Sequence, residues 1–168
     1  METVIQKGDV VLRAKSREVG IHELSTPEMK NVLRKMTETL TLCEDGVALA
    51  APQIAESLRI FVVSPRAWKN ATPPKGESLV YINPKIVKLS KKREILDEGC
   101  LSVRGIFGKT KRAARATVTA LDENGKEFTR GAGGLLAQIF QHEIDHLDGV
   151  LFIDHATDLV KYEKEKTV

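Results

Sequence analysis

Two histidines four positions apart, with a glutamate beside the first, constrain this chain more than any other stretch: His142-Glu143-Ile144-Asp145-His146. Residues i and i+4 of a helix share a face, so the pair can hold one metal ion if the segment is helical. The flanks allow that. Leu135 to Leu147 has helical composition, Gly149 stands just past its end, and Gly131 to Gly134 ahead of it reads as a flexible connector, without the lysine and hydroxyl residue of a phosphate loop. A carboxylate next to the first ligand can take a proton from attacking water and hand it to a leaving amine, which is the acid/base work of hydrolysis. The competing reading, a solvated helix that happens to carry two histidines, sits badly with the helix's apolar face.

The rest of the chain sets the frame. At 168 residues, 42% hydrophobic and 29% charged, it has the composition of one ordinary globular domain, taken as residues 1–168. A net charge of +3 does not by itself call for nucleic acid, and the basic runs Lys85 to Arg93 and Lys109 to Arg115 read as solvated strand faces. Met1 to Lys15 lacks the apolar core of a secretory signal and no apolar run reaches membrane-spanning length, so a cytoplasmic protein is expected. There, Cys43 and Cys100 are a poor pair for a disulfide.

Ser25-Thr26-Pro27-Glu28 reads as a helix start. Met29, Val32, Leu33, Met36 and Leu40 then recur at helical spacing, which predicts an amphipathic N-terminal helix in a region that Gly46 closes. Cys43, near the end of that helix, reads as core. Arg59 to Ser64, Leu79 to Asn83 and Glu94 to Leu96 read as strands. Thr117 to Leu121 and Lys126 to Thr129 flank Asn124-Gly125, which predicts a tight hairpin with positive φ at both turn residues. The charged tail, Asp158 to Val168, reads as a short frayed helix.

A catalytic metal needs a third protein ligand. The metzincin pattern would put a histidine where Phe152 stands, and His155 comes three residues too late; a thermolysin-like ligand would have to be Glu163 or Glu165. Cys100 lies in Glu98-Gly99-Cys100-Leu101-Ser102, a glycine-flanked turn that lets backbone approach a metal, though a cysteine taken alone is more often a small buried hydrophobe. Gly46 to Gln53 is a run of small residues ending in an amide donor; it suits either a ligand-facing backbone or a tightly packed turn.

GVALAAPQ, EGCLS and QHEIDH, in that order along the chain, closely resemble the three signature motifs of peptide deformylases. The resemblance implies that Cys100, His142 and His146 bind one divalent ion, most commonly Fe2+ with Zn2+, Ni2+ or Co2+ able to replace it. It implies Glu143 as general acid/base, with the Gln53 amide and the Leu101 backbone N–H donating to the oxyanion. The expected fold class is α+β, with antiparallel sheets packed around a central metal-binding helix. The implied substrates are N-formylmethionyl nascent peptides, with room for transient ribosome contact and no call for membrane or specific nucleic acid.

Gly46, Val47, Ala48, Leu49 and Gly99 are then expected to meet substrate. Leu135 and Ile139, on the face that carries both histidines, would form an apolar wall for the methionine side chain, or would merely anchor the helix. Three positions depart from the family's pattern: Ala48 for a usual glycine, Arg104 for a usual proline, and Gln138 where an apolar pocket residue is common. Two other readings remain: a zinc endopeptidase with a ligand from the tail, and a non-catalytic module whose metal is structural.

Overall fold

Strand alternation sorts the apolar side chains of the first sheet into two clusters, one on each face. In the computed structural model, which describes residues 3–162, β1 (Ala48–Ala50) pairs antiparallel with β2 (Ile60–Val63), Ala50 opposite Phe61. Successive side chains of a strand point to opposite faces. Ala48, Ala50, Phe61 and Val63 therefore enter one apolar cluster, while Leu49, Ile60 and Val62 enter another. Burial on both faces explains why residues 60–63 are continuously apolar rather than alternating. Further along come β3 (Val80–Leu89), β6 (Arg115–Leu121) and β7 (Glu127–Gly133), and the five-stranded antiparallel sheet runs β1-β2-β3-β6-β7.

Each face carries one helix. α1 (Pro27–Leu42) starts as its sequence suggests, with the Thr26 hydroxyl accepting the N–H of Met29 and proline in the first turn. Its Met29, Met36 and Leu40 pack on Leu49, Ile60, Val62 and Ile82. It ends at Leu42, before Gly46, whose need for glycine is steric: a Cβ there would lie 2.9 Å from a Leu101 methyl and 3.1 Å from one of Leu40. α2 (Gly134–Leu147) covers the opposite face, burying Leu136, Ala137, Ile139, Phe140, Ile144 and Leu147 against the strands.

The second sheet, β4-β5-β8, consists of β4 (Arg93–Gly99), β5 (Ile106–Ala113) and β8 (Thr157–Lys161). The chain leaves the first sheet near Ser90 and returns at Arg115. Those residues bond to each other, Ser90 N–H to the Arg115 carbonyl and Arg115 N–H to the Ser90 hydroxyl, both at 3.0 Å, so the two sheets meet at a fixed corner.

Three local expectations change. The hairpin at Asn124-Gly125 forms, but only Gly125 takes positive φ (80°), because the Asp122 carboxylate accepts the N–H groups of Asn124 and Lys126 at 2.9 Å and holds a longer turn. Residues 131–133 are no connector; they complete β7, which feeds straight into α2. Asp158 to Lys161 lies in β8 rather than in a helix, since it finds an open edge on β5; the tail beyond Tyr162 lies outside the described residues.

The C-terminal side of α2 supplies a stability test. Gly149 has φ of 77°, and a Cβ there would stand 2.4 Å from the Arg13 carbonyl oxygen. Gly149→Ala combines left-handed strain with a backbone clash and is expected to cost at least about 2 kcal/mol. Urea unfolding should show a lower midpoint at unchanged slope.

Candidate metal centre

α2 presents His142 and His146 on one face, ring centroids 5.0 Å apart. β4 delivers Cys100 at its end, in a turn closed by the Val103 N–H on the Cys100 carbonyl at 3.0 Å. The Cys100 Sγ lies 3.2 Å from His146 Nε2, and the ligand atoms of Cys100, His142 and His146 all lie within 4.8 Å of one another. Ligand atoms bound to one divalent ion at tetrahedral angles stand roughly 3.5 Å apart. The three residues therefore fit such an ion, and three ligands leave a fourth position for substrate or water.

Glu98, just ahead of Cys100, decides how His142 faces. One carboxylate oxygen lies 2.6 Å from His142 Nδ1 and 2.6 Å from an Arg112 nitrogen; the other accepts from the Thr110 hydroxyl at 2.6 Å, Arg112 Nε at 3.1 Å and Gln138 Nε2 at 3.2 Å. With Nδ1 engaged, Nε2 of His142 is the nitrogen left for the ion, and the carboxylate raises its basicity. Arg112 reaches on to Asp145 at 2.6 Å. Burial opposes charge on Glu98, yet His142 and Arg112 hold its carboxyl well below the usual range. Burial likewise opposes charge on His142, but Cys100 and Glu98 lift its pKa well above the ordinary value; burial and the neighbouring His142 push His146 the other way.

Glu143 is 4% exposed, and its Oε2 has no hydrogen-bond partner among the described residues. Burial raises its carboxyl to about 7. Gln53 is held from both ends: its Oε1 accepts the Ala50 N–H at 2.8 Å, and its Nε2 donates to the Ser102 hydroxyl at 3.0 Å with the Cys100 sulfur at 3.6 Å. The Leu101 N–H finds no acceptor among the described residues.

These groups open into a cleft of about 620 Å³. Gly46, Val47 and Ala48 form one wall and Gly99, Cys100 and Leu101 another, with Leu135, Ile139, His142 and Glu143 as the floor from α2. Leu49 is the exception among the expected contacts. It is fully buried on the α1 side of the sheet, because its two neighbours in β1 take the α2 side. Ala48 is only 7% exposed and its methyl packs in the cluster under α2. Gln138 lines the cleft and donates to the Asp97 carbonyl at 2.9 Å and to Glu98 at 3.2 Å, and Arg104, also on the cleft, pairs with Asp45 at 3.4 Å.

Sequence reasoning missed Glu98 and Arg112. The signal for Glu98 was present: a liganding histidine needs a partner for its second nitrogen, and a glutamate lay two residues before the cysteine. Arg112 was hidden in the run Lys109 to Arg115, whose alternation puts it inward, 6% exposed, while Lys109 and Lys111 face out. Phe107 and Tyr162, which meet edge to face at 5.5 Å and line the cleft, gave no signal beyond being aromatic.

A cysteine sulfur, two imidazoles and a buried carboxyl in one cleft of an α+β fold define a metal-dependent hydrolase class. The family model for polypeptide deformylases matches residues 1–162. Peptide deformylase 2 of Clostridium acetobutylicum is 41% identical over 154 residues, 91% of this chain and 93% of its own length. The peptide deformylase of Halothermothrix orenii is 45% identical over 148 residues, 88% of each. The crystal structure of the class I type b peptide deformylase from Acinetobacter baumannii matches with a TM-score of 0.81 at 31% identity, covering 92% of this chain and 99% of that one. The chain belongs to the peptide deformylase family and is a hydrolase that removes the N-terminal formyl group.

The endopeptidase and binding-module readings are not favoured. Phe152, at the third-ligand position of the former, is buried and stacks on His142, and His155 points instead to Asp145 at 3.6 Å. Glu163 and Glu165 lie outside the described residues.

Glu98→Gln keeps the size of the side chain but weakens its hold on His142 and leaves Arg112 short of a counter-charge. Metal affinity, read by competition with a chromogenic chelator, is expected to fall about 10- to 100-fold.

Proposed function

We propose that residues 1–168 act as one catalytic domain on N-formylmethionyl peptides, with Cys100, His142 and His146 holding one divalent ion, natively Fe2+. The observation that carries this is the convergence of the three ligand atoms within 4.8 Å beside a buried carboxyl that has an oxygen to spare. A divalent ion bound there supplies Lewis-acid polarisation of the formyl oxygen and makes water more acidic. The chain's own residues do the rest.

Glu143 accepts the proton of the attacking water and returns it to the amine as the C–N bond breaks, giving formate and a free N-terminal methionine. The Leu101 N–H and the Gln53 amide stabilise the charge that develops on the formyl oxygen. Gln53 is held on Ala50 and Ser102, so little reorganisation is left when that charge appears.

Methionine recognition falls to the apolar lining of the cleft, Val47, Leu135 and Ile139, together with Gly46, Ala48 and Gly99. An unbranched thioether fits a wall of this kind. The formyl carbon bears only hydrogen, which a tight site admits while rejecting a methyl. We place this work in the cytoplasm, on nascent chains in transient contact with the ribosome, where formylated N-termini arise.

The test is release of formate from formyl-Met-Ala-Ser by Fe2+- or Ni2+-loaded protein beside the acetylated peptide. Formate with no acetate is expected, and equal cleavage of both would count against the reading. Gln53→Ala should lower turnover by about 10²–10³. Glu143→Ala should lose turnover yet keep its ion, and Cys100→Ala should lose the ion. Thiolate ligation beside Fe2+ gives oxygen a route to damage the site; anaerobically prepared protein should therefore carry iron, and zinc with full activity would refute that assignment.

A further inference from the structure

Residues 4–7 lie across both loops that frame the cleft. The Ile5 N–H donates to the Gln53 carbonyl at 2.8 Å and the Lys7 N–H to the Ser102 carbonyl at 2.7 Å. Between them, the Gln6 side chain turns to the same turn: Nε2 donates to the Leu101 carbonyl at 3.0 Å and to the Val4 carbonyl at 3.1 Å, and Oε1 accepts the Arg104 N–H at 3.4 Å. This strap ties Gln53, which follows β1 in the five-stranded sheet, to the turn that follows β4 in the other sheet. Apolar contacts seat it at both ends, Val4 against the α1 cluster and Ile5 against the cluster of Leu12, Val103, Leu151 and Phe152.

The strap bears on chemistry through the direction of one N–H. Leu101 N–H belongs to the Cys100–Leu101 peptide, whose carbonyl is fixed by the Val103 N–H at 3.0 Å. The next peptide carries the Leu101 carbonyl that Gln6 holds. With the peptides on both sides of the Leu101 Cα fixed, its N–H keeps one direction. A donor to a developing oxyanion works because it is in place beforehand, and a displacement near 1 Å costs on the order of 10²-fold in rate.

We propose that Gln6 is a positioning residue for deformylation: through the Leu101 carbonyl it holds the Leu101 N–H aimed at the formyl oxygen. This rests on the reading of Gln53 and the Leu101 N–H as oxyanion donors. A strap that were only structural would change the unfolding midpoint and leave the turnover of folded enzyme alone. Two variants of this exposed side chain separate these roles. Gln6→Met keeps its length and removes every polar contact; Gln6→Glu keeps the acceptor toward Arg104 and loses the donor toward Leu101.

The experiment measures kcat and KM on formyl-Met-Ala-Ser for the full chain and for both variants, at matched metal content and matched circular dichroism, with Gln53→Ala alongside. The expected result is a drop in kcat of about tenfold in both variants, with KM within about twofold. Unchanged kcat in Gln6→Glu, or a loss confined to KM, overturns the proposal while Gln53→Ala remains impaired. If Gln53→Ala also keeps full kcat, the oxyanion reading itself fails, and the role of Gln6 with it.

Discussion

The carboxylate of Glu98 is the contact on which the centre depends. An ionised carboxyl 5% exposed cannot be left unpaired, because removing a partner from a buried ion pair costs about 3–5 kcal/mol. Its partners come from different elements: Arg112 and Thr110 from β5, His142 and Gln138 from α2. Satisfying one charge thus sets the helix against the second sheet and turns His142 toward Cys100. Asp145 takes the remaining arm of Arg112, so the helix is bound to β5 from two of its turns. The histidine motif on α2 and the cysteine motif at the end of β4 meet because the first residue of the latter, Glu98, is a buried acid that binds His142.

Much of this was legible beforehand, and the reason lies in spacing. His142 and His146 declare a shared helical face, Thr26-Pro27 declares a helix start, and EGCLS declares a glycine-flanked turn; each is a local rule that tertiary packing had no cause to override. What was not legible depended on partners distant in sequence. Arg112 sits in a run of cations whose inward member only strand register reveals, and β8 is a strand because β5 offers an edge, not because residues 157–161 are strongly apolar. Leu49 illustrates the same limit. In a strand buried on both faces, the side on which a leucine falls is fixed by pairing, and composition carries no trace of it.

The departures from the family's pattern are absorbed in ways that the sequence alone does not disclose. The methyl of Ala48 joins the packing beneath α2 instead of standing free in the cleft. Gln138, polar at a position where apolar residues are common, becomes another donor to Glu98, so its amide is accounted for inside the network that orients His142. Arg104 has no such internal use. It lies at the cleft beside Asp45, nearly half exposed, where an ion pair contributes little to stability and the charge is free to influence what approaches.

Burial does two opposed things at this centre. It makes Glu143 costly, since a carboxyl oxygen without a partner forfeits about 1–3 kcal/mol of hydration, and it raises the carboxyl toward neutrality. The same exclusion of water strengthens the dipoles that line the cleft, among them the Leu101 backbone and the amide of Gln53. A more polar surrounding would relieve Glu143 and weaken those donors together. The large apolar cluster under α2, with Phe61 stacked on Tyr81 and Phe140 tilted against both, is what allows the fold to keep an unsatisfied acid beside Cys100, His142 and His146.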